Sequence, residues 1–332
     1  MSLVQIAHGG GGKRSEELIK DVFINRFNNS ILNDMEDSAV VSLNSLNLAF
    51  TTDSYTVKPI FFPGGNIGKL AVCGTVNDLL MRGAKPLFIS ASFMIEEGFD
   101  IMLLESIATS MVQACQEAGV EIITGDTKVV EKGGVDQIFI NTSGIGSIAN
   151  NVYISIKNAC PGDSVIISGT IGDHGMAVLS ARENITFDSP VNSDCAALLE
   201  MVNEMLKFED SVKVLRDPTR GGVAEVLYNI CNGSGVGIEI DEEKLPVKPQ
   251  VLSACNMLGL DFLQLANEGK LIAVVDRSFS EEIVKTMRKC KYGGNSVIIG
   301  TVNDSGLVTM KTKLGTSRII SRPLGELLPR IC

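Results

Sequence analysis

The chain has 332 residues, 45% of them hydrophobic and 20% charged. That is ordinary globular composition, and the length suits two cores of roughly 100 to 200 residues better than one. Lys and Arg number 29 against 39 Asp and Glu, a formal charge of -10 with no dense basic run, which argues against nucleic acid as a partner.

Residues 1–7 lack the basic and apolar parts of a signal peptide, and no stretch reaches the ~20 apolar residues of a membrane span. A soluble, cytoplasmic protein with no membrane partner is expected. A small anion such as ATP can still bind an acidic chain, given divalent cations and backbone N–H groups to receive it.

In chain order, A-H-G-G-G-G-K-R at 7–14 has the glycines of a phosphate loop but fails the Walker A pattern, because Arg14 stands where a hydroxyl is needed. A glycine flap over a nucleotide and a disordered N-terminus both remain open. Two alternating runs within 39–53 predict strands, and the spacing of Ile67, Leu70, Ala71, Leu79 and Leu80 predicts a helix over 66–82. A strand at 86–94, a helix at 103–118 stopped by Gly119, and strands at 120–129 and 137–148 complete a first unit. The Asn, Pro and Gly of 150–163 mark a boundary.

The second unit is expected to hold strands at 164–168, 271–275, 296–302 and 307–310. Its helices are expected at 176–182, 195–208, from Gly222, from Pro249 and at 280–290, with G-T-I-G-D-H-G at 169–175 as a turn into a helix. After Leu314 the periodicity fails, as in a mobile tail. The expected organisation is an α/β (α+β) protein with domains at 1–150 and 151–315 and a tail at 316–332.

The eight cysteines include no C-x-x-C pair, so neither a zinc site nor a disulfide framework is expected, and His8 and His174 lie in no nucleophile motif. Asp37, Asp53, Asp78 and Asp126 each stand at a strand end or in a loop. Singly each reads as a turn or cap residue; together, with P-G-G-N-I-G-K at 63–69 between two of them, they read better as a hard oxygen site for Mg²⁺. In R-D-P-T-R-G-G-V-A at 216–224, Gly221 and Gly222 open a helix whose first N–H groups are free for an oxyanion. Arg216 and Arg220 can fork onto phosphate or a carboxylate. Glu268 in A-N-E-G-K is a candidate base or else a solvated loop residue, and Lys128 either faces the same cleft or is a surface strand lysine. Cys332, the last residue of the sequence, is not held in a core by chain on both sides, and Pro329 stands where a prenylation signal would need cysteine.

These segments resemble the HypE branch of the superfamily that includes aminoimidazole ribonucleotide synthetase, selenophosphate synthetase and thiamin monophosphate kinase. The resemblance rests on D-S-A-V-V from Asp37, the run 52–71, G-T-V-N-D-L-L at 74–80, T-G-D-T-K-V-V at 124–130, the 216–224 and 266–270 segments and the closing P-R-I-C. It implies an aminoimidazole-ribonucleotide-synthetase-like fold in which two copies pair their N-terminal halves into a dimeric β-barrel. ATP would lie between the halves, its phosphates held through Mg²⁺ by Asp37, Asp53, Asp78, Asp126 and Asp217. Gly64, Gly65, Asn66, Thr75, Asn77, Thr127, Gly221 and Gly222 match its nucleotide side.

The implied activity is that of an ATP-dependent carbamoyl dehydratase. A HypF-type carbamoyltransferase loads Cys332, Lys128 or Glu268 takes the protons with Arg216 and Arg220 nearby, and the cyano group passes to iron on a HypC-HypD-type complex for [NiFe] hydrogenase. Two alternatives stay open: a kinase or ligase acting on a free small molecule with the tail as a lid, and an ATP-binding adaptor with a docking tail.

Overall fold

The computed structural model describes residues 3–27, 30–44, 46–187, 189–325 and 328–332. Residues 1 and 2, and residues 326 and 327 of the expected tail, lie outside the described residues. In the first half, strands β1 (Ala39–Leu43) and β2 (Leu46–Tyr55) form a hairpin, followed by helix α1 (Ile67–Met81). Strand β3 (Lys85–Glu96), helix α2 (Ile101–Ala118), strand β4 (Glu121–Val130) and strand β5 (Ile138–Ile148) complete a five-stranded sheet of order β1-β2-β5-β3-β4. Only β3 and β4 run parallel, and α2 makes the crossover that a parallel pair requires.

The second half forms a seven-stranded sheet, laid down in chain order as β6 (Ser164–Ile167), helix α3 (Asp173–Glu183), helix α4 (Leu199–Met205), β7 (Val212–Arg216), helix α5 (Gly222–Ser234) and β8 (Gly237–Asp241). Helix α6 (Pro249–Leu258), β9 (Ile272–Val275), helix α7 (Ser280–Met287), β10 (Val297–Asn303), β11 (Val308–Lys311) and β12 (Ser317–Ile319) follow. The sheet order is β12-β11-β8-β10-β6-β9-β7. The sequence pattern missed β7 and β8, whose runs are short, and β12, which lies in the stretch read as a tail. It also missed the helical turns between Lys13 and Asn33. The helix expected over 195–208 is confined to α4 and a following 3₁₀ turn, because Asn192–Ala196 run irregularly over the first half.

Helix α1 positions the site. All of its residues except Lys69 and Asp78 are buried, as expected of a helix apolar on every side and packed between two layers. Asn66 caps it, its Oδ1 accepting from the N–H groups of Gly68 and Lys69 at 2.9 and 3.1 Å. Gly74 lets β2 approach: a Cβ there would lie 2.2 Å from Tyr55 Oη. The largest core cluster joins Val72, Leu80 and Ile140 of the first half to Ile166, Leu215 and Ile283 of the second.

Candidate active site

Four elements deliver carboxylates to one cleft of about 330 Å³ between the halves. Asp37 comes from the bend before β1, Asp53 from β2, Asp78 from the last turns of α1 and Asp217 from the residue after β7. Asp37, Asp78 and Asp217 each offer an oxygen, and these atoms lie within 4.8 Å of one another. Thr51 of β2 donates to Asp78 Oδ2 at 2.7 Å and to the Asp37 carbonyl at 3.2 Å, fixing the two acids relative to each other. Arg216 meets Asp37 Oδ1 at 2.9 Å, while Asp37 Oδ2 is buried with no hydrogen-bond partner. Arg220 stands 3.8 Å from Asp53, which accepts from Tyr55 at 3.2 Å.

Burial is the main reason these acids hold their protons above the ordinary range, and their mutual repulsion adds to it. Asp37 is pushed up to about 8 against Arg216, and Asp217 to about 6. Asp78 is raised well above its usual value by burial and then by Asp53, Asp217 and Asp37. An oxygen-only set with an orphaned buried oxygen and more negative charge than the two arginines offset fits a hard divalent cation such as Mg²⁺.

A stability prediction follows. Asp37 has a folded pKa far above its ordinary 3.8, so folding binds a proton between the two values and stability falls as pH rises toward 8. His174, whose pKa burial lowers from 6.5, acts in the opposite sense, but only below that value. Between pH 6.5 and 8.5 the melting temperature of the metal-free chain should fall, and saturating Mg²⁺ should raise it more at the upper end. Equal Mg²⁺ shifts at both ends would exclude these carboxylates as the binding group.

Glu268 and Cys332 line the same cleft. Glu268 is 3% exposed, its Oε1 has no partner, and burial, followed by the charges of Cys195, Asp217 and Asp194, raises its pKa well above normal. Residues 328–332 are docked rather than trailing: the N–H of Thr56 donates to the Cys332 carbonyl at 3.0 Å and that of Lys58 to the Arg330 carbonyl at 3.1 Å. Ile331 is buried. The tail thus reaches the cleft of its own chain, and Arg220 is held in its charged form first by Cys332. Gly11, at φ 75°, packs against Arg220, where a Cβ would lie 2.6 Å from Arg220 Cβ, so the glycine run sits at the cleft mouth.

Other expected residues lie elsewhere. Asp126, Thr127 and Lys128 sit on the outer edge strand β4, all exposed, with Lys128 3.4 Å from Asp126. The edge position takes them away from the acid cluster of their own chain. Thr75 shares a 2.6 Å hydrogen bond with Thr142. Asn77 donates to the carbonyls of Ala196 and Glu268 at 3.0 and 3.4 Å and accepts from Leu198 N–H at 3.0 Å, so both side chains are spent inside. Asn66 is occupied by its cap, and Gly64 and Gly65 form a turn against Ser193 and Phe62. Gly221 and Gly222 take left-handed φ of 78° and 63°. Gly221 caps α5, and a Cβ on Gly222 would meet the Leu263 carbonyl at 2.5 Å.

Residues 35–148 match the family described as AIR synthase related protein, N-terminal domain, and residues 160–313 its C-terminal domain. Over 332 residues the chain is 48% identical to the carbamoyl dehydratase HypE of Rhizobium leguminosarum bv. viciae, covering 99% of this chain and 95% of that one. It is 43% identical to HypE of Escherichia coli K12 over the whole of both chains. The chain belongs to the HypE family. Among solved HypE structures, one from a HypE-HypF complex is 59% identical with a TM-score of 0.89, covering 92% of this chain and 99% of that one. One in complex with ATP is 44% identical with a TM-score of 0.83, covering 99% and 100%. A thiamine monophosphate kinase structure from Aquifex aeolicus, at 19% identity and a TM-score of 0.67, covering 92% of this chain and 98% of that one, shares the fold. Among the described residues no helix is long and apolar enough to cross a membrane.

Proposed function

We propose that the chain is an ATP-dependent carbamoyl dehydratase of hydrogenase maturation, and that its substrate is the S-carbamoyl group on its own Cys332. The observation that carries this reading is the docking of Cys332 in the cleft that holds Asp37, Asp53, Asp78, Asp217 and Glu268. A small-molecule kinase would have to clear the docked tail from that space first. Supporting the ATP requirement, a 44% identical family member was solved in complex with ATP.

Asp37, Asp78 and Asp217, with Asp53 beside them, would hold Mg²⁺, which supplies charge neutralisation for the phosphates. Arg216 and Arg220 add fixed positive charge to the cleft. The carbamoyl oxygen attacks the γ-phosphorus and ADP leaves. Glu268 in its ionised form accepts one N–H proton, the other leaves on the departing phosphate as the C–O bond breaks, and S–C≡N remains on Cys332. ATP and the carbamoyl group are thereby converted to ADP, phosphate, one proton and thiocyanate.

The working unit in this reading is a homodimer in the cytoplasm. The outer face of the first sheet exposes Phe50, Ile145 and Phe88 as one cross-strand row, and β4 leaves its edge unpaired. A second copy covering that face would bring its own Asp126, Thr127 and Lys128 toward the nucleotide. A HypF-type carbamoyltransferase would load the thiol, in keeping with the HypE-HypF complex of a 59% identical relative, and a HypC-HypD-type complex would receive the cyano group on iron.

Mass spectrometry tests the reaction. With carbamoyltransferase, carbamoyl phosphate and a non-hydrolysable ATP analogue, the Cys332 peptide should gain one carbamoyl group; with ATP, that gain should fall by one water. An unmodified Cys332 in the presence of continuing ATP consumption would overturn the reading.

A further inference from the structure

The last four residues of the sequence are held chiefly through their main chain. Arg182 of α3 donates to the carbonyls of Pro329 at 2.7 Å and Arg330 at 2.8 Å, and Thr56 Oγ1 adds a 3.3 Å contact to the Cys332 carbonyl. Arg330 itself, at φ 54°, donates to Thr56 O at 2.8 Å, meets Asp136 at 2.6 Å and lies over the Phe139 ring. The remaining carbonyl, that of Ile331, lies 2.8 Å from His174 Nε2.

His174 differs from the other holders in being fully buried, with its ring edge-on to Phe62 at 5.3 Å. Its tautomer is fixed by its neighbours. The Ile331 carbonyl at Nε2 can only accept, so in the neutral ring Nδ1 is the acceptor and takes the proton of Ser193 Oγ at 2.8 Å, while Ser193 Oγ itself accepts from the Cys195 N–H at 3.0 Å. Nε2 then carries the imidazole proton and donates it to Ile331 O. Burial lowers the His174 pKa and keeps this neutral donor form in place.

We propose that His174 is the latch of the tail: its Nε2–H bond to the Ile331 carbonyl, one residue from the thiol, sets how firmly Cys332 is held in the cleft. It is a positioning residue. The Ser193 hydroxyl behind it keeps the latch in the donating state. This bond is one of several on the tail; being buried and made by a neutral group, it opens without separating charges, unlike the Arg330–Asp136 pair beside it. The inference deepens the dehydratase reading and rests on it for its catalytic consequence, while docking itself is measurable without ATP.

The test is iodoacetamide labelling of the full-length chain, read at each cysteine by peptide mass. Exposed Cys160 is the fast reference, and buried Cys231 and Cys255 report whether the fold is intact. His174→Phe keeps a ring on Phe62 but removes the donor, and should raise the Cys332 rate roughly tenfold with Cys231 and Cys255 still protected. His174→Gln, whose side-chain amide can donate from nearly the same place, should return the rate toward wild type. An unchanged Cys332 rate in His174→Phe overturns the latch. If that variant also exposes Cys231 and Cys255, Ser193→Ala decides: a rise confined to Cys332 supports the latch and no rise overturns it. A latch that passes while Cys332 never accepts a carbamoyl group would leave the latch standing and remove the dehydratase reading.

Discussion

Asp78→Asn should abolish ATP turnover and, at the same time, make the metal-free chain more stable above neutral pH. Asp78 is crowded by Asp53, Asp217 and Asp37 in a buried place, and its pKa is raised accordingly. An asparagine keeps an oxygen for the 2.7 Å bond from Thr51 and removes the charge. Relief of repulsion on the order of 1 kcal/mol would lift the melting temperature by a few degrees. Loss of one of the three clustered oxygen donors should cut turnover by at least about a hundredfold. Such an exchange of stability for function is expected where like charges are gathered for a cation. Calorimetry and phosphate release on one preparation check both halves, and a variant that is less stable yet fully active would refute the account of the cluster.

Glu268→Gln should lower the dehydration rate by about 10²- to 10⁴-fold, the usual range for loss of a positioned general base. ATP affinity should stay near wild type. The shape of the side chain is conserved, and the main chain is held independently: the Glu268 N–H donates to Asp194 Oδ1 at 3.0 Å and its carbonyl accepts from Asn77. Oε1 has no partner in the resting protein, so the substitution breaks no existing bond there. Single-turnover conversion of the carbamoylated tail, followed by mass, separates this effect from binding. A loss below about threefold would move the proton-accepting role to another group, with Lys128 of a second copy the next to test.

The parts of the site that were legible in the sequence are those whose meaning is local. Asp37, Asp53 and Asp78 stand in loops or near the ends of expected elements and could be placed from a few neighbours, whereas Asp217 follows the missed strand β7 and came only with the family resemblance; the structure gathers all four. Asn66, Thr75 and Asn77, matched to the nucleotide side by the family resemblance, have their polar groups engaged within the protein. In a helix buried all round, such groups must find partners inside, and a cap, Thr142 and the 196–268 main chain supply them.

Asp126 and Lys128 failed to join the cluster because strand order is not written in strand pattern: a parallel crossover carried β4 to the sheet edge. His174 was passed over as part of a turn, since nothing in G-D-H-G announces a carbonyl 157 positions away. The docked tail was illegible for the same reason, its partner Thr56 lying 276 positions upstream.

The Asn77 amide has one more consequence. It ties α1 to two separate segments of the second half, at 196–198 and at Glu268, at a point where the main core already runs unbroken from one sheet to the other. Two sequence families thus describe what is, for unfolding, a single cooperative unit: neither half can melt while the other keeps its interior dry. The cleft is therefore no hinge. Traffic through it must be governed by the short segments that cover its mouth, near Gly11 and Cys332, while the walls stay still.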